Sequence, residues 1–83
     1  MVKEENWAIA PERVRAFFEE LPDAEAVDDS FQINECRVTL TPVSGVLLGK
    51  WAMPRTIIRF EGDAGAVEAV YRRFFLRFLS AGG

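Results

Sequence analysis

The sequence has no histidine and a single cysteine, and these two shortages remove much of the usual chemistry of active sites. Histidine is the commonest general base and a frequent metal ligand. Cys36 alone cannot form an internal disulfide, so nothing indicates an oxidising compartment. Long hydrophobic runs and an apolar leader segment are also missing, which argues against a membrane-spanning helix and a signal peptide. We therefore expect a cytoplasmic protein that does not bind a membrane.

What the sequence does contain is the composition of a small folded domain. Its 83 residues are 49% hydrophobic and 28% charged, with a net charge of −3. These fractions are typical of a globular chain, and this length allows one hydrophobic core. We expect a single domain over residues 1–83, with frayed ends at residues 1–8 and 81–83. Such a small core favours modest stability or help from self-association.

Two helices are predicted. The first covers residues 11–21, because Pro11 suits a first helical position and the residue before Pro22 is pushed out of the α region. The second covers about residues 64–80, with Asp63 as its N-cap. Its apolar residues span roughly half of the helix circumference, which indicates the central element of the core.

The segment between the helices alternates in the manner of β-strands. Phe31 and Ile33 are apolar at odd positions, whereas Cys36, Val38 and Leu40 are apolar at even positions. A two-residue turn at Asn34-Glu35 explains the change, and a β-bulge is the alternative. The pattern leaves open whether residues 26–33 form a separate strand.

Two further strands are predicted near residues 46–52 and 55–61. A tight turn at Met53-Pro54 would join them and place Trp51 opposite Thr56. The order is then α-β(β)ββ-α, with three or four antiparallel strands. We expect an α+β fold in which both helices pack on one face of this sheet.

No catalytic or metal site is predicted. The serines have no histidine to activate them, and Cys36 lies on the inward face of its strand, where cysteine is usually a small buried hydrophobe. Adjacent acidic residues diverge on a strand or helix, so they do not form a carboxylate pair. The acidic segment 23–29 lacks the spacing of a calcium-binding loop. We expect a protein without enzymatic activity, metal or cofactor.

The charges are distributed unevenly along the chain. Residues 1–35 contain ten acidic and three basic side chains, whereas residues 36–83 contain three acidic and seven basic ones. The sheet face that points away from the helices is predicted to carry Arg37, Lys50 and Arg59. This face could bind an acidic protein or a nucleic-acid strand, although it lacks the aromatic residues that stack on single strands. The alternative is a solvated face whose cations pair with Glu35 and Glu61.

A second candidate surface lies on the last helix. Leu76 falls near the centre of the polar face of this helix, flanked by Arg72 and Arg73. A lone exposed leucine is ordinary, but arginine is enriched in protein interfaces. These three residues are therefore a candidate surface for homodimer formation.

Two family resemblances are relevant. Gly82-Gly83 resembles the ending of ubiquitin-like carriers and their sulfur-carrier relatives, which implies that the terminal carboxylate is adenylated. That family has a ββαββ order and an extended tail, whereas a helix precedes the glycines here, and glycine after a helix is most often a C-cap. The predicted element order is also similar to that of double-stranded-RNA-binding domains, but the functional residues of those domains have no matching positions.

The sequence therefore predicts a small non-enzymatic domain that binds another protein or a second copy of itself. The alternative is a nucleic-acid-binding module that uses the basic sheet face, a partner that is possible but not favoured. A carrier protein with a C-terminal Gly-Gly is a more remote alternative.

Overall fold

Two helices and seven strands occur in the part of the chain that the computed structural model describes, which is residues 1–43, 47–48, 51–52 and 54–81. In chain order they are β1 (Val2–Trp7), α1 (Pro11–Glu20), β2 (Ala24–Val27), β3 (Ser30–Ile33), β4 (Cys36–Val43), β5 (Leu47–Leu48), β6 (Trp51–Ala52), β7 (Arg55–Gly62) and α2 (Ala64–Ala81).

Five of the strands form one sheet in the order β1-β7-β4-β3-β2, and every neighbouring pair in it is antiparallel. β5 and β6 pair with each other in a separate two-stranded sheet. The predicted α+β class is confirmed, but the sheet has five strands rather than three or four. The expectation of a frayed segment at residues 1–8 is wrong, because β1 pairs with β7 along its whole length.

The predicted turn at Asn34-Glu35 is confirmed. β3 and β4 pair so that Ile33 lies opposite Cys36. Asn34 has a φ of 53°, in the left-handed region that a type I′ turn requires and that asparagine tolerates. A second turn of this kind, with Asp28 at a φ of 54°, joins β2 to β3. Residues 26–33, for which the sequence did not decide whether they form a separate strand, therefore belong partly to β2 and partly to β3.

The predicted pairing around Met53-Pro54 is wrong. Thr56 lies opposite Trp7 on one side and Pro42 on the other, and not opposite Trp51. The place beside β7 belongs to the eight-residue β4, whose alternate residues are buried over most of its length. A long strand that contributes to the core is a better partner for β7 than the two-residue strands β5 and β6.

Both helices pack on one face of the sheet, as the sequence predicts. α1 lies against β2 and β4, and α2 lies against β7 and β4. The inward side chains form one core: Val14, Phe18, Phe31, Ile33, Cys36, Val38, Leu40, Ile58, Phe60, Val67, Val70, Phe74 and Phe78. Phe74 occupies its centre, stacked on Phe18 at 6.1 Å and tilted against Phe78 at 4.8 Å between ring centroids.

The helix boundaries agree with the sequence within one residue. α1 ends at Glu20, and α2 begins after Asp63, whose carboxylate accepts a hydrogen bond from the N–H of Ala66 at 3.3 Å. Asp63 is therefore the predicted N-cap. Ala81 ends α2, and Gly82 and Gly83 lie outside the described residues. Within the described ranges, neither helix combines the length and the apolar character needed to cross a membrane.

Candidate functional site

The outer face of the sheet carries two of the three basic residues that the sequence singles out. Arg37 and Arg59 lie on this face in neighbouring strands, whereas Lys50 lies outside the described residues. Arg59 forms ion pairs with Glu4 at 3.9 Å and with Glu61 at 3.6 Å. Arg37 is exposed and lies opposite Glu61. Carboxylates thus interrupt the basic surface, and its role in binding stays a prediction.

α2 presents an apolar strip to solvent. Leu76 and Leu79 have exposed fractions of 54% and 55%. Phe75 lies beside them, half-buried, with its ring 6.0 Å from the ring of Trp7 and perpendicular to it. Arg72 is exposed one turn before Leu76. We call Phe75, Leu76 and Leu79 the α2 strip.

Arg73 lies on another side of α2 and is engaged within the chain. Its guanidinium donates to both carboxylate oxygens of Asp23, at 2.9 and 3.1 Å. This hydrogen bonding lowers the pKa of Asp23 and raises that of Arg73. Of the three residues predicted for self-association, Leu76 and Arg72 are thus exposed together, and Arg73 ties α2 to the corner before β2.

β1 forms one edge of the sheet, and within the described residues it pairs only with β7. Met1 and Gly62 exchange two backbone hydrogen bonds, of 2.8 and 3.0 Å. Such bonded pairs alternate with non-bonded pairs along an antiparallel ladder, so every second residue of β1 points its N–H and C=O away from β7. These outward peptide groups, which we call the β1 edge, belong to Val2, Glu4 and Asn6.

A hydrogen-bonded cluster holds β1 against α2. One carboxylate oxygen of Glu5 accepts from the indole N–H of Trp7 at 2.8 Å and from the hydroxyl of Tyr71 at 2.9 Å. The ammonium of Lys3 lies 4.2 Å from the centre of the Tyr71 ring, in a cation–π contact. Burial, together with the bond to Glu5, raises the pKa of Tyr71. The cluster fixes the β1 edge beside the helix that carries the α2 strip.

A groove of about 170 Å³ separates α1 from α2. Arg13 and Arg77 line it together with Glu20, and the rings of Phe17 and Phe78 also contribute to its lining. The guanidinium of Arg13 lies 6.0 Å from the centre of the Phe78 ring. Sequence reasoning missed this groove because its two arginines are brought together only when the helices pack.

The side chains with reactive chemistry form no site in the described residues. Cys36 is buried in the core, and burial raises the pKa of its thiol, which disfavours the reactive thiolate. No group of three or more cysteine or acidic side chains within those residues is arranged to hold a metal ion.

Comparison with protein families gave one finding. A family model described as "Archaeal MoaD-like protein" matches residues 2–83 of the chain. The match includes every element from β1 to α2 and extends through Gly82-Gly83. Comparison with curated proteins and with solved structures gave no match.

Proposed function

Because the chain belongs to the archaeal MoaD-like proteins, we propose that it is a non-enzymatic domain that binds another polypeptide through the β1 edge and the α2 strip. An edge strand offers peptide groups at the spacing that an added strand needs. An apolar surface beside that edge gives the added chain a place to bury side chains. The observation that carries the proposal is the edge of β1, which pairs only with β7 among the described residues and lies beside α2, the helix on which Leu76 and Leu79 are each more than half exposed.

Nucleic acid is a less supported partner for these surfaces. Affinity for nucleic acid comes mainly from cations that replace the counterions of the phosphates. The β1 edge has acidic neighbours in Glu4 and Glu5, and Arg59 on the outer face is already paired with carboxylates. A polypeptide, which offers its own hydrogen-bonding backbone, fits this mixture of charges better.

A second candidate function is that of a sulfur carrier activated at Gly82-Gly83. The family match, which extends through Gly83, favours it. The architecture favours it less, because ubiquitin-like carriers have a ββαββ order with an extended tail. Here α2 continues to Ala81, and the sheet is antiparallel between every pair of its strands. Mass spectrometry of the chain isolated from its own cells separates the two functions, since a thiocarboxylate at Gly83 is expected only for a carrier.

Proline at Glu4 tests the proposed binding function. The N–H of Glu4 points outward, so Glu4→Pro removes a donor from the β1 edge and leaves the hydrogen bonds to β7 in place. Glu4→Ala removes the same carboxylate and keeps the donor, which makes it the matched control. We expect wild type and Glu4→Ala to capture the same proteins from the native lysate and Glu4→Pro to lose them, with unchanged circular dichroism.

Two results would contradict this function. Equal capture by all three proteins would show that the β1 edge is not the binding surface. Binding that disappears after nuclease treatment and weakens steeply with salt would favour the nucleic-acid module instead.

A further inference from the structure

We infer that the polypeptide bound at the β1 edge is a second copy of this chain, paired antiparallel about a two-fold axis at Glu4. The inference rests on the proposed function and names its partner. Two-fold pairing requires the edge to be complementary to itself, so that each contact occurs twice. The sequence of β1 meets this requirement in one register.

The backbone limits the possible registers. The outward peptide groups belong to even-numbered residues, so a two-fold ladder must pair even positions with even positions. The register that uses all of the β1 edge pairs Val2 with Asn6 of the second copy and Glu4 with Glu4. Residues at odd positions then form the non-bonded pairs, in which the side chains approach most closely.

Charge selects the same register. Lys3 comes to lie opposite Glu5 of the second copy, and the symmetry axis makes this pair twice. A shift by two residues in one direction would place Lys3 opposite Lys3, and a shift in the other direction would place Glu5 opposite Glu5. Like charges directly opposite each other destabilise a sheet, whereas opposite charges stabilise it.

The pairs at and near the axis are compatible with this register. Glu4 meets its own copy there, but each Glu4 already lies 3.9 Å from the guanidinium of Arg59, which reduces the repulsion. The carbonyl of Asn6 accepts from Arg55 at 3.3 Å. A carbonyl oxygen has a second lone pair, which is available to the N–H of Val2 in the second copy.

Exposed apolar residues lie at the start of β1 and on α2, the helix that packs beside β1. Met1, Val2, Leu76 and Leu79 are large hydrophobic residues that are each more than half exposed. The register places Met1 of one copy opposite Trp7 of the other, and Trp7 packs against Phe75 of the α2 strip. Pairing along β1 therefore adds apolar contact to the backbone hydrogen bonds, which helps to offset the entropy lost on association.

The opposite edge of the sheet does not share this self-complementarity. β2 forms that edge, and the charged residues of β2 and its flanking turns are all acidic: Glu25, Asp28 and Asp29, together with Asp23, which pairs with Arg73. Two copies would repel each other along β2. We therefore expect a closed dimer and not an open chain of sheets.

The test measures the oligomeric state of the whole chain by analytical ultracentrifugation over a range of concentrations. We expect a dimer for wild type and for Glu4→Ala, and a monomer for Glu4→Pro. Lys3→Glu and Glu5→Lys should each weaken self-association by about tenfold, since each reversal makes both charge pairs repulsive. A mixture of these two variants should form a heterodimer, because both pairs become attractive again.

Each alternative outcome has a definite meaning. A wild type that stays monomeric refutes the second copy as partner. The binding function then survives only if wild type captures proteins from the lysate and Glu4→Pro does not. A dimer that Glu4→Pro leaves intact, while the variant melts like wild type, refutes the β1 edge as the surface of self-association. Equal capture from lysate by the same variant would refute the edge for the binding function as well. If Glu4→Pro fails to fold, the mixture of Lys3→Glu and Glu5→Lys decides alone. The absence of a heterodimer in that mixture would refute the register.

Discussion

Tyr71 is the chain's one tyrosine and reports directly on the contact between β1 and α2. Burial, with the hydrogen bond to Glu5, raises its pKa above the ordinary value of 10.0. When the pKa of a phenol is higher in the folded state, the protonated phenol stabilises the fold. This contribution to the free energy of unfolding is fully present below the unfolded-state pKa and is lost as the pH rises through the folded-state pKa. We therefore expect tyrosinate absorbance to appear at higher pH in the folded chain than in the unfolded chain.

Two variants control the Tyr71 prediction. Glu5→Gln should lower the pKa of Tyr71 toward its ordinary value, because the charge that opposes ionisation is gone. Tyr71→Phe should remove the tyrosine's contribution to the loss of stability in alkali, as measured by urea unfolding against pH. A tyrosinate transition at or below the ordinary pKa would contradict the contact with Glu5.

The direction of single strand residues could be predicted better than their partners. Alternation with a period of two fixed the outer placement of Arg37 and Arg59 and the inner placement of Cys36. The alternative interpretation of this face named Glu61 as a cross-strand partner for its cations, and the ion pair that forms joins Glu61 to Arg59 of the same strand. The second partner of Arg59, Glu4, was not predictable because it belongs to a strand that the pattern did not reveal.

β1 is the element that the sequence concealed. Its inward residues are Lys3, Glu5 and Trp7, so two of the three are charged and the apolar alternation of a half-buried strand is absent. The strand forms because β7 supplies backbone partners and Tyr71 supplies a hydrogen bond. Both partners lie about fifty or more positions away, and local patterns carry no information about contacts of that kind.

Gly62 controls the junction between β7 and α2. Its φ is +141°, and a Cβ at this position would overlap the carbonyl oxygen of Glu35 in the turn between β3 and β4. The backbone strain alone is worth about 1–3 kcal/mol, so we expect Gly62→Ala to lower the free energy of unfolding by at least this amount. Urea unfolding measures the change.

Gly65→Ala is the matched control for this junction. A Cβ at Gly65 would meet only the carboxylate of Asp63, at 3.3 Å, and that side chain can move. Alanine is also the better helix former by roughly 0.5–1 kcal/mol, so we expect little net change. Equal destabilisation by the two variants would contradict a special role for Gly62.

For the molecule as a whole, part of the charge asymmetry is used inside the fold. Two of the ion pairs join the acidic residues 1–35 to the basic residues that follow: Glu4 with Arg59, and Asp23 with Arg73. The sequence shows the asymmetry and allows two interpretations: a charged binding surface, or charge pairing within the fold between residues 1–35 and residues 36–83. Choosing between them required knowing which residues meet across the sheet and between α2 and the corner before β2.

The pH dependence of Asp23→Asn tests this complementarity. Arg73 lowers the pKa of Asp23 below its ordinary value of 3.8. The pair therefore stabilises the fold above that pH, and its contribution is lost as pH falls through the folded-state pKa. We expect Asp23→Asn to melt slightly below wild type at neutral pH, since both side chains are exposed, and the difference to shrink in acid.

Glu25→Gln is the control for the acid-side prediction. Glu25 is exposed on the neighbouring strand and forms no ion pair with the described residues. The difference in melting temperature between Glu25→Gln and wild type should therefore not shrink as the pH falls. A difference between Asp23→Asn and wild type that stays constant down to acid pH would contradict the contribution of the pair.

The order in which the sheet closes follows from the distances along the chain. Two-residue turns join β2 to β3 and β3 to β4, whereas β1 pairs residue 2 with residue 61. Long-range closure loses chain entropy before it gains contacts, so β1 is expected to dock late in folding. Two nascent copies folding side by side could then exchange this strand before either sheet is complete, because a β1 that has not yet docked can pair with the unfilled β7 of its neighbour as well as with its own.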